Sequence, residues 1–162
     1  MGLTITPNNN FLYAADSGGN KVYEFKINNN GTLSRIGAGS IAAGNSPQMI
    51  AVDPTGSWAF ATNLGGGGSV SQYAVNASNG TLTGNGSLVG FSGQPFGIIA
   101  HPSGGFIYVT DNQTGLVYAF QIRSDGTLKQ IETQKSTQET FNEFADPTYT
   151  HPSIRWKNPR RM

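Results

Sequence analysis

The strongest constraint on the fold is a unit of about 47 residues that occurs three times in succession in this 162-residue chain. When Pro7, Pro54 and Pro102 are aligned, the same order of residue types follows each of them. The matching segments read Phe11-Leu12-Tyr13-Ala14-Ala15-Asp16, Trp58-Ala59-Phe60-Ala61-Thr62-Asn63 and Phe106-Ile107-Tyr108-Val109-Thr110-Asp111. A fixed period of this length predicts stacked copies of one supersecondary unit.

Each copy continues with a second strand and a hairpin turn. Tyr23, Phe25 and Ile27 alternate with the period of a strand, as do the corresponding residues of the later copies. The turns that follow are Asn30-Gly31-Thr32-Leu33, Asn79-Gly80-Thr81-Leu82 and Asp125-Gly126-Thr127-Leu128. Asn-Gly and Asp-Gly supply the positive φ that tight hairpins need, so each copy is predicted to contain this hairpin.

The second copy predicts a meander of four strands, over residues 48–53, 57–63, 69–76 and 81–89. The strand that contains Ile107 and Val109 on one face has Phe106 and Tyr108 on the other, so neighbouring sheets must cover both faces. Four-stranded sheets stacked radially form a β-propeller. The predicted fold is therefore all-β, with about three four-stranded antiparallel blades. A solenoid or a β-sandwich is the competing interpretation.

The predicted blades cover residues 1–41, 42–90 and 91–135, and residues 136–162 form a tail without the repeat. Propellers close with about four to eight blades, so three blades predict a partial or open propeller. The first copy begins inside the pattern, since residues 3–7 match only the end of the first strand of later copies. The tail has several interpretations: it is disordered, a divergent or extraneous end, an out-of-frame translation or a docking segment.

Composition excludes several classes of function. Charged residues make up 12% of the chain and the net charge is +1, which predicts no nucleic-acid partner. The absence of cysteine excludes disulfides and a thiol nucleophile. The apolar runs are too short to insert in a membrane, and the first residues do not resemble a signal peptide. The compartment stays open, since a longer parent chain secreted from the cell or held in the periplasm is compatible with this composition.

The run Ser46-Pro47-Gln48-Met49-Ile50-Ala51-Val52-Asp53-Pro54-Thr55-Gly56 precedes an aromatic strand and an Asn-Gly-Thr-Leu turn. This layout resembles the seven-bladed β-propeller lactonase family, which includes 6-phosphogluconolactonase-like proteins, over about residues 3–134. The resemblance implies that the chain is part of a longer propeller. It also implies hydrolysis of a sugar lactone, an ester-hydrolase activity, with a small lactone or carbohydrate as the ligand.

Binding residues are expected on one rim of the blades. This rim carries the loop between the second and third strands of each blade and the connection that leads into its first strand. This polar rim comprises residues 16–20, 45–48, 63–68, 93–96 and 111–115. The candidate ligand-binding residues are Asp16, Gln48, Asn63, Gln94, Phe96, Asp111 and Asn112. No cofactor or metal is predicted, although a cation held by the Asp16 or Asp111 loop is an alternative.

No catalytic residue can be assigned from the resemblance. Members of the family carry Pro-Arg-His at the start of an inner strand and Asn-Glu after a second strand, whereas this chain has Pro47-Gln48-Met49 and Asn63-Leu64. Asp16 and Asp111 are candidate bases, or else they end their strands by accepting bonds from turn amides. His101 precedes a turn proline on the opposite rim, which predicts a structural role.

Three hypotheses follow for the function. In the first, the chain is a section of a lactonase propeller whose catalytic groups lie in other blades. The second is a non-catalytic propeller, secreted or at a cell surface, whose rim binds a ligand or protein. In the third, the chain completes a propeller by self-association, because its terminal blades lack the neighbours that their faces are patterned to contact.

Overall fold

The computed structural model describes residues 2–86 and 88–135, so the predicted tail lies outside the described residues. All regular structure in this part of the chain is β-strand, arranged in three antiparallel sheets. The first sheet contains, in order, β1 (Leu3–Ile5), β2 (Phe11–Asp16), β3 (Lys21–Ile27) and β4 (Leu33–Ala42). The third sheet contains β10 (Pro95–Ala100), β11 (Phe106–Asp111), β12 (Leu116–Ile122) and β13 (Leu128–Lys135).

The second sheet differs from the other two in its outer strand. Its members are β5 (Pro47–Val52), β6 (Trp58–Asn63), β7 (Ser69–Val75) and β8 (Leu82–Gly84), and β9 (Val89–Gly90) also pairs with β7. The prediction of one continuous strand over residues 81–89 is therefore wrong. Tyr73 of β7 pairs with Gly84, and Val70 of β7 pairs with Val89. Between these two pairs the outer strand has more residues than β7, so the ladder of hydrogen bonds is interrupted. Gly86, with φ of 82°, lies in this break.

The three predicted hairpin turns share one hydrogen-bonding scheme. Gly31, Gly80 and Gly126 have φ of 81°, 75° and 79°. Asn79 Oδ1 accepts bonds from Thr81 N at 3.0 Å and from Thr81 Oγ1 at 2.8 Å. The Asn30 and Asp125 side chains accept the corresponding pair of bonds from the threonine two residues later. The repeated Asn/Asp-Gly-Thr motif thus encodes the turn, with glycine providing the left-handed conformation.

Two apolar cores lie between the sheets. We call the side of a sheet that faces the preceding sheet its front face and the other side its back face. The first core joins the back of the first sheet to the front of the second, with Tyr13, Val22 and Ala59 fully buried. In the second core, Phe60 and Val70 pack against Ile107 and Val109. The second sheet is thus covered on both faces, and face-to-face stacking of three such sheets is the arrangement of propeller blades, so the predicted fold class is confirmed.

An aromatic ring of one blade packs on the turn glycine of the next. A Cβ placed on Gly80 would overlap the Phe11 ring, and a Cβ on Gly126 would overlap the Trp58 ring. The Tyr13 hydroxyl also donates to Gly80 O at 2.8 Å. The turn glycines are therefore needed for close contact between blades as well as for their positive φ.

A buried polar side chain forms a second contact at each blade interface. Glu24, which is 3% exposed, accepts a bond from Leu82 N at 2.5 Å. Gln72 holds the same place in the second blade and accepts from Leu128 N at 2.8 Å. Burial raises the pKa of Glu24 above its ordinary value, and the bond from Leu82 opposes this only in part. Burial, and to a smaller extent the charge of Glu24, raises the pKa values of the nearby Tyr13 and Tyr73.

We expect Glu24→Gln to stabilise the chain at neutral pH by about 1 kcal/mol, because it removes a buried charge and keeps the acceptor. A carboxyl with a raised pKa in the folded state stabilises most below its unfolded pKa, and this stability is lost as pH rises through the folded pKa. Thermal unfolding from pH 4 to 8 should show a smaller decline for Glu24→Gln than for the wild type. Gln72→Glu is the matched control and should steepen the decline; lower stability of Glu24→Gln at pH 7 would contradict this account.

Candidate functional site

The polar rim is built from loops that bond to one another across strands and blades. The inner strand β5 lies between β1 and β10, and these strands place their first residues at this rim. Asn20, in the loop after β2, accepts a bond from Ser46 N at 2.8 Å, just before β5. Gly65 N donates to Asn45 O at 3.0 Å in the second blade. In the third blade Asn112 N donates to Gln94 O at 2.8 Å. The predicted connections therefore meet at one rim.

Asp111 ends β11 and organises the rim of the third blade. Its Oδ1 accepts bonds from the backbone N–H groups of Gln94, Gln113 and Thr114, at 3.1, 2.9 and 2.9 Å. Burial alone raises the pKa of Asp111, but the bonds from Thr114, Gln94 and Gln113 outweigh it and hold that pKa below its ordinary value. Asp111 is thus a weak base whose lone pairs are directed to turn amides.

Asn63 is the counterpart of Asp111 in the second blade and is fully buried. Its Nδ2 donates to Ser69 Oγ and Ser71 Oγ, both at 3.0 Å. Ser71 Oγ also accepts from Gly44 N at 3.0 Å, which ties the strand end to the segment before β5. Asn63 Oδ1 and Asp111 Oδ2 find no hydrogen-bond partner among residues 2–86 and 88–135. Asn63 therefore supports the rim from beneath and is not accessible to a ligand.

Asp16, at the corresponding place in the first blade, is half-buried. Its Oδ1 accepts a bond from Gly18 N at 3.1 Å, within the loop that follows β2. This is a turn contact of the kind predicted as the alternative to a catalytic base. The three strand ends thus carry side chains that bond to their own loops.

Gln48 and Phe96 occupy equivalent places, each directly after the proline that begins its strand, β5 or β10. Thr62 connects the two inner strands at this level, since Thr62 Oγ1 accepts from the N–H of Met49, the residue after Gln48, at 3.2 Å and donates to Phe96 O at 2.7 Å. Gln48 is half-buried and its Nε2 donates to Ser46 O and Ser46 Oγ, both at 3.1 Å. The Phe96 ring is 43% exposed. This pair gives the inner edge of the rim an aromatic face beside an amide.

Gln94 and Asn112 complete the accessible part of the rim. Both side chains are exposed, and the Gln94 O to Asn112 N bond holds their backbones together next to Phe96. Amides donate and accept hydrogen bonds, whereas an exposed ring offers an apolar surface. Gln48, Gln94, Phe96 and Asn112 therefore suit a small polar ligand with an apolar face, and none of them titrates near neutral pH.

Acid-base and metal chemistry have little support within the described residues. No three His, Asp or Glu side chains lie together there in a group able to hold a metal ion. His101 lies on the opposite rim, where Nδ1 is 2.8 Å from Ser103 Oγ and the ring edge packs near Phe106 and Tyr108. A cavity of about 280 Å³ on that opposite rim is lined by residues such as Pro7, Phe11 and Thr55, which are not titratable. No helix in residues 2–86 and 88–135 has the length and hydropathy to cross a membrane.

Several residues that shape the rim were missed in the sequence. Thr62 and its counterpart Thr110 both use Oγ1 to accept a backbone N–H of the neighbouring inner strand, from Met49 at 3.2 Å and Gly97 at 2.9 Å. Their repetition just before Asn63 and Asp111 was a detectable signal. Asn20 lies within the predicted rim range 16–20 but was not among the candidate ligand-binding residues, since only its bond from Ser46 N in the folded chain reveals its role.

Three stacked four-stranded blades with a loop-built rim define the chain as a β-propeller protein. The model of the family described as lactonase, 7-bladed beta-propeller, matches residues 2–90. The chain therefore belongs to the seven-bladed β-propeller lactonase family, and the predicted resemblance is confirmed.

Solved structures from several bacteria share this fold. A candidate 6-phosphogluconolactonase of Bacteroides fragilis is 26% identical, with a TM-score of 0.74 over 82% of this chain and 38% of its own length. A Desulfotomaculum acetoxidans protein of unknown function is 29% identical, with a TM-score of 0.70 over 82% of this chain and 41% of its own. The periplasmic gluconolactonase of Pseudomonas aeruginosa, at 20% identity, shares the fold with a TM-score of 0.70 over 82% of this chain and 40% of its own. The chain thus spans about two-fifths of the length of these proteins. No curated protein matches it.

Proposed function

We propose that this chain supplies part of the ligand rim of a lactonase-type propeller and binds a neutral sugar lactone or a related carbohydrate. The observation that carries the proposal is the accessible group of Gln94, Phe96 and Asn112 beside Gln48, at the inner ends of neighbouring blades. Sugar rings combine an apolar C–H face with hydroxyl groups, which an aromatic ring and amides complement.

The substrate class comes from the relatives. The Bacteroides fragilis structure is of a candidate 6-phosphogluconolactonase, and the Pseudomonas aeruginosa protein is a gluconolactonase. The seven candidate rim residues include neither Lys nor Arg to pair with a phosphate group. A lactone without phosphate is therefore the proposed ligand of this rim.

Hydrolysis is proposed to depend on groups outside the described residues. Opening a lactone needs a base that activates water and a donor that stabilises the oxyanion. Asp111 and Asp16 are engaged with turn amides. A purely binding or scaffolding propeller, with no catalysis in any blade, is the second candidate, and the same engagement of both carboxylates favours it.

Titration calorimetry of the 162-residue chain with D-glucono-δ-lactam, which resists hydrolysis, tests the proposed binding. We expect saturable binding that Phe96→Ala weakens about tenfold, because the sugar loses its apolar contact. Leu88→Ala, which removes a 51% exposed side chain from the outer part of the second blade, is the control and should bind like the wild type. Absence of saturable binding, or equal affinity of Phe96→Ala and the wild type, would contradict the proposal.

A pH-stat assay with D-glucono-δ-lactone separates binding from catalysis. The chain is expected to leave the spontaneous rate of ring opening unchanged. An acceleration proportional to protein concentration would show that the chain contains its own catalytic groups and would overturn the assignment of hydrolysis to other blades.

A further inference from the structure

The inner strands of the second and third blades each contain a β-bulge at the polar rim. Residues 48–49 of β5 face only Thr62 of β6, because the register of this ladder shifts there. Residues 96–97 of β10 face only Thr110 of β11 in the same way. A bulge of two residues against one bends its strand and redirects the side chains that it carries. Both bulges begin with a residue of the candidate ligand site.

A threonine hydroxyl holds each bulge in place. The extra residue of a bulge leaves the ladder of backbone bonds, so its N–H group needs another acceptor. Thr62 Oγ1 accepts from Met49 N at 3.2 Å, and Thr110 Oγ1 accepts from Gly97 N at 2.9 Å. The first blade has Ala15 at the corresponding place, which offers no hydroxyl. Both bulges therefore depend on a side chain from the neighbouring strand.

Thr62 is distinguished by a hydroxyl that bonds to both bulges. Its side chain is fully buried, and Oγ1 donates to Phe96 O at 2.7 Å while accepting from Met49 N. Met49 O, the alternative acceptor, is 3.4 Å away, so the hydroxyl proton is directed to Phe96 O. One buried group thus fixes the distance between the strand segments that carry Gln48 and Phe96.

The bulges expose their first residue next to a buried anchor. The Phe96 ring is 43% exposed, whereas Pro95 before it is fully buried. Gln48 is half-buried and also follows a fully buried proline, Pro47. Each rim side chain is therefore held between a proline on one side and a threonine-bonded peptide on the other.

We propose that Thr62 is a positioning residue of the ligand rim, which holds the Gln48 amide and the Phe96 ring at the spacing that one bound lactone requires. This role rests on the proposed function, since Thr62 is buried and acts through the two bulges without touching the ligand. Loss of its hydroxyl leaves the Met49 N–H and Phe96 O without their partner, and both bulges are then free to shift.

Titration calorimetry with D-glucono-δ-lactam compares three variants with the wild type. Thr62→Val keeps the shape of the side chain without its hydroxyl and should weaken binding about tenfold. Thr62→Ser keeps the hydroxyl and should bind within about twofold of the wild type, even though loss of a buried methyl group lowers its stability. Thr83→Val, at an exposed position of β8, is the control and should bind like the wild type. The serine variant thus separates positioning from stability.

Nuclear magnetic resonance of the ligand-free chain tests the two hydrogen bonds of Thr62 directly. Amide hydrogen exchange at Met49 should be about tenfold faster in Thr62→Val than in the wild type, because the N–H loses its acceptor. The amide nitrogen resonance of Gly97 should shift as well, since Gly97 N and Phe96 O belong to one peptide group. Neither quantity should change in Thr62→Ser.

The outcomes distinguish the role of Thr62 from the proposed function. Unchanged exchange at Met49 and an unchanged Gly97 resonance in Thr62→Val would overturn the positioning role. It is also overturned if both change while Thr62→Val binds the lactam like the wild type, or if Thr62→Ser loses as much affinity as Thr62→Val. Absence of binding by the wild type contradicts the proposed function, and the hold of Thr62 on the two bulges is then decided by the Met49 and Gly97 measurements alone.

Discussion

Gly80→Ala should lower the free energy of unfolding by about 2 to 5 kcal/mol, a large loss for a single methyl group. The alanine would adopt a φ of 75°, which costs about 1 to 2 kcal/mol for a residue with a Cβ. Its Cβ would also overlap the buried Phe11 ring, and overpacking of this kind costs about 1 to 3 kcal/mol. Urea denaturation followed by tryptophan fluorescence measures the change.

Gly31→Ala is the matched control for this effect. Gly31 lies in the same turn with φ of 81°, yet a Cβ on it meets nothing within 4 Å. We expect Gly31→Ala to cost only the backbone share of about 1 to 2 kcal/mol. Equal losses for the two variants would show that the Phe11 ring does not pack on the Gly80 turn.

Phe60→Ala is expected to destabilise the chain by about 3 to 5 kcal/mol, because it leaves a cavity in the second core. Phe60 is 0% exposed and is among the largest fully buried side chains of the described residues. The cavity would lie between the second and third blades, where Val70, Ile107 and Phe120 surround it. Thermal unfolding of the variant and the wild type, compared at one concentration, gives the measurement.

Phe96→Ala provides the comparison for Phe60→Ala. Its ring is 43% exposed, so its removal should change stability by less than about 1 kcal/mol. This small effect also ensures that a loss of lactam affinity in the same variant reports on binding. A Phe60→Ala protein as stable as Phe96→Ala would contradict the stacking of the second blade against the third.

The architecture was predictable because it depends on local and repeated signals. The Gly80 turn requires a residue with positive φ, and the alternation in β7 and β12 identifies strands with one apolar face. These signals lie within a few residues of one another, and the repetition confirms each of them three times. The break after Gly84 was missed even though Asn85-Gly86 carries the Asn-Gly signal of a turn, because the repeat pattern favoured one continuous outer strand in each copy.

The contacts between blades could not be derived from local patterns. The bond from Leu82 N to Glu24 joins residues 58 positions apart, and the bond from Leu128 N to Gln72 joins residues 56 positions apart. A buried acceptor among apolar residues is visible in the sequence, but its partner is defined only when the blades stack. The engagement of Asp111 with turn amides was foreseen as an alternative, because a carboxylate at a strand end commonly caps the following turn.

The account depends most on the stacking of three successive blades through rings placed on turn glycines. A nuclear Overhauser spectrum of the 162-residue chain tests this directly. We predict cross-peaks from the Phe11 ring to the Gly80 α-protons and from the Trp58 ring to the Gly126 α-protons, with upfield shifts of both glycines relative to Gly31. Intact cross-peaks within the sheets, without either contact between the sheets, would contradict the propeller arrangement.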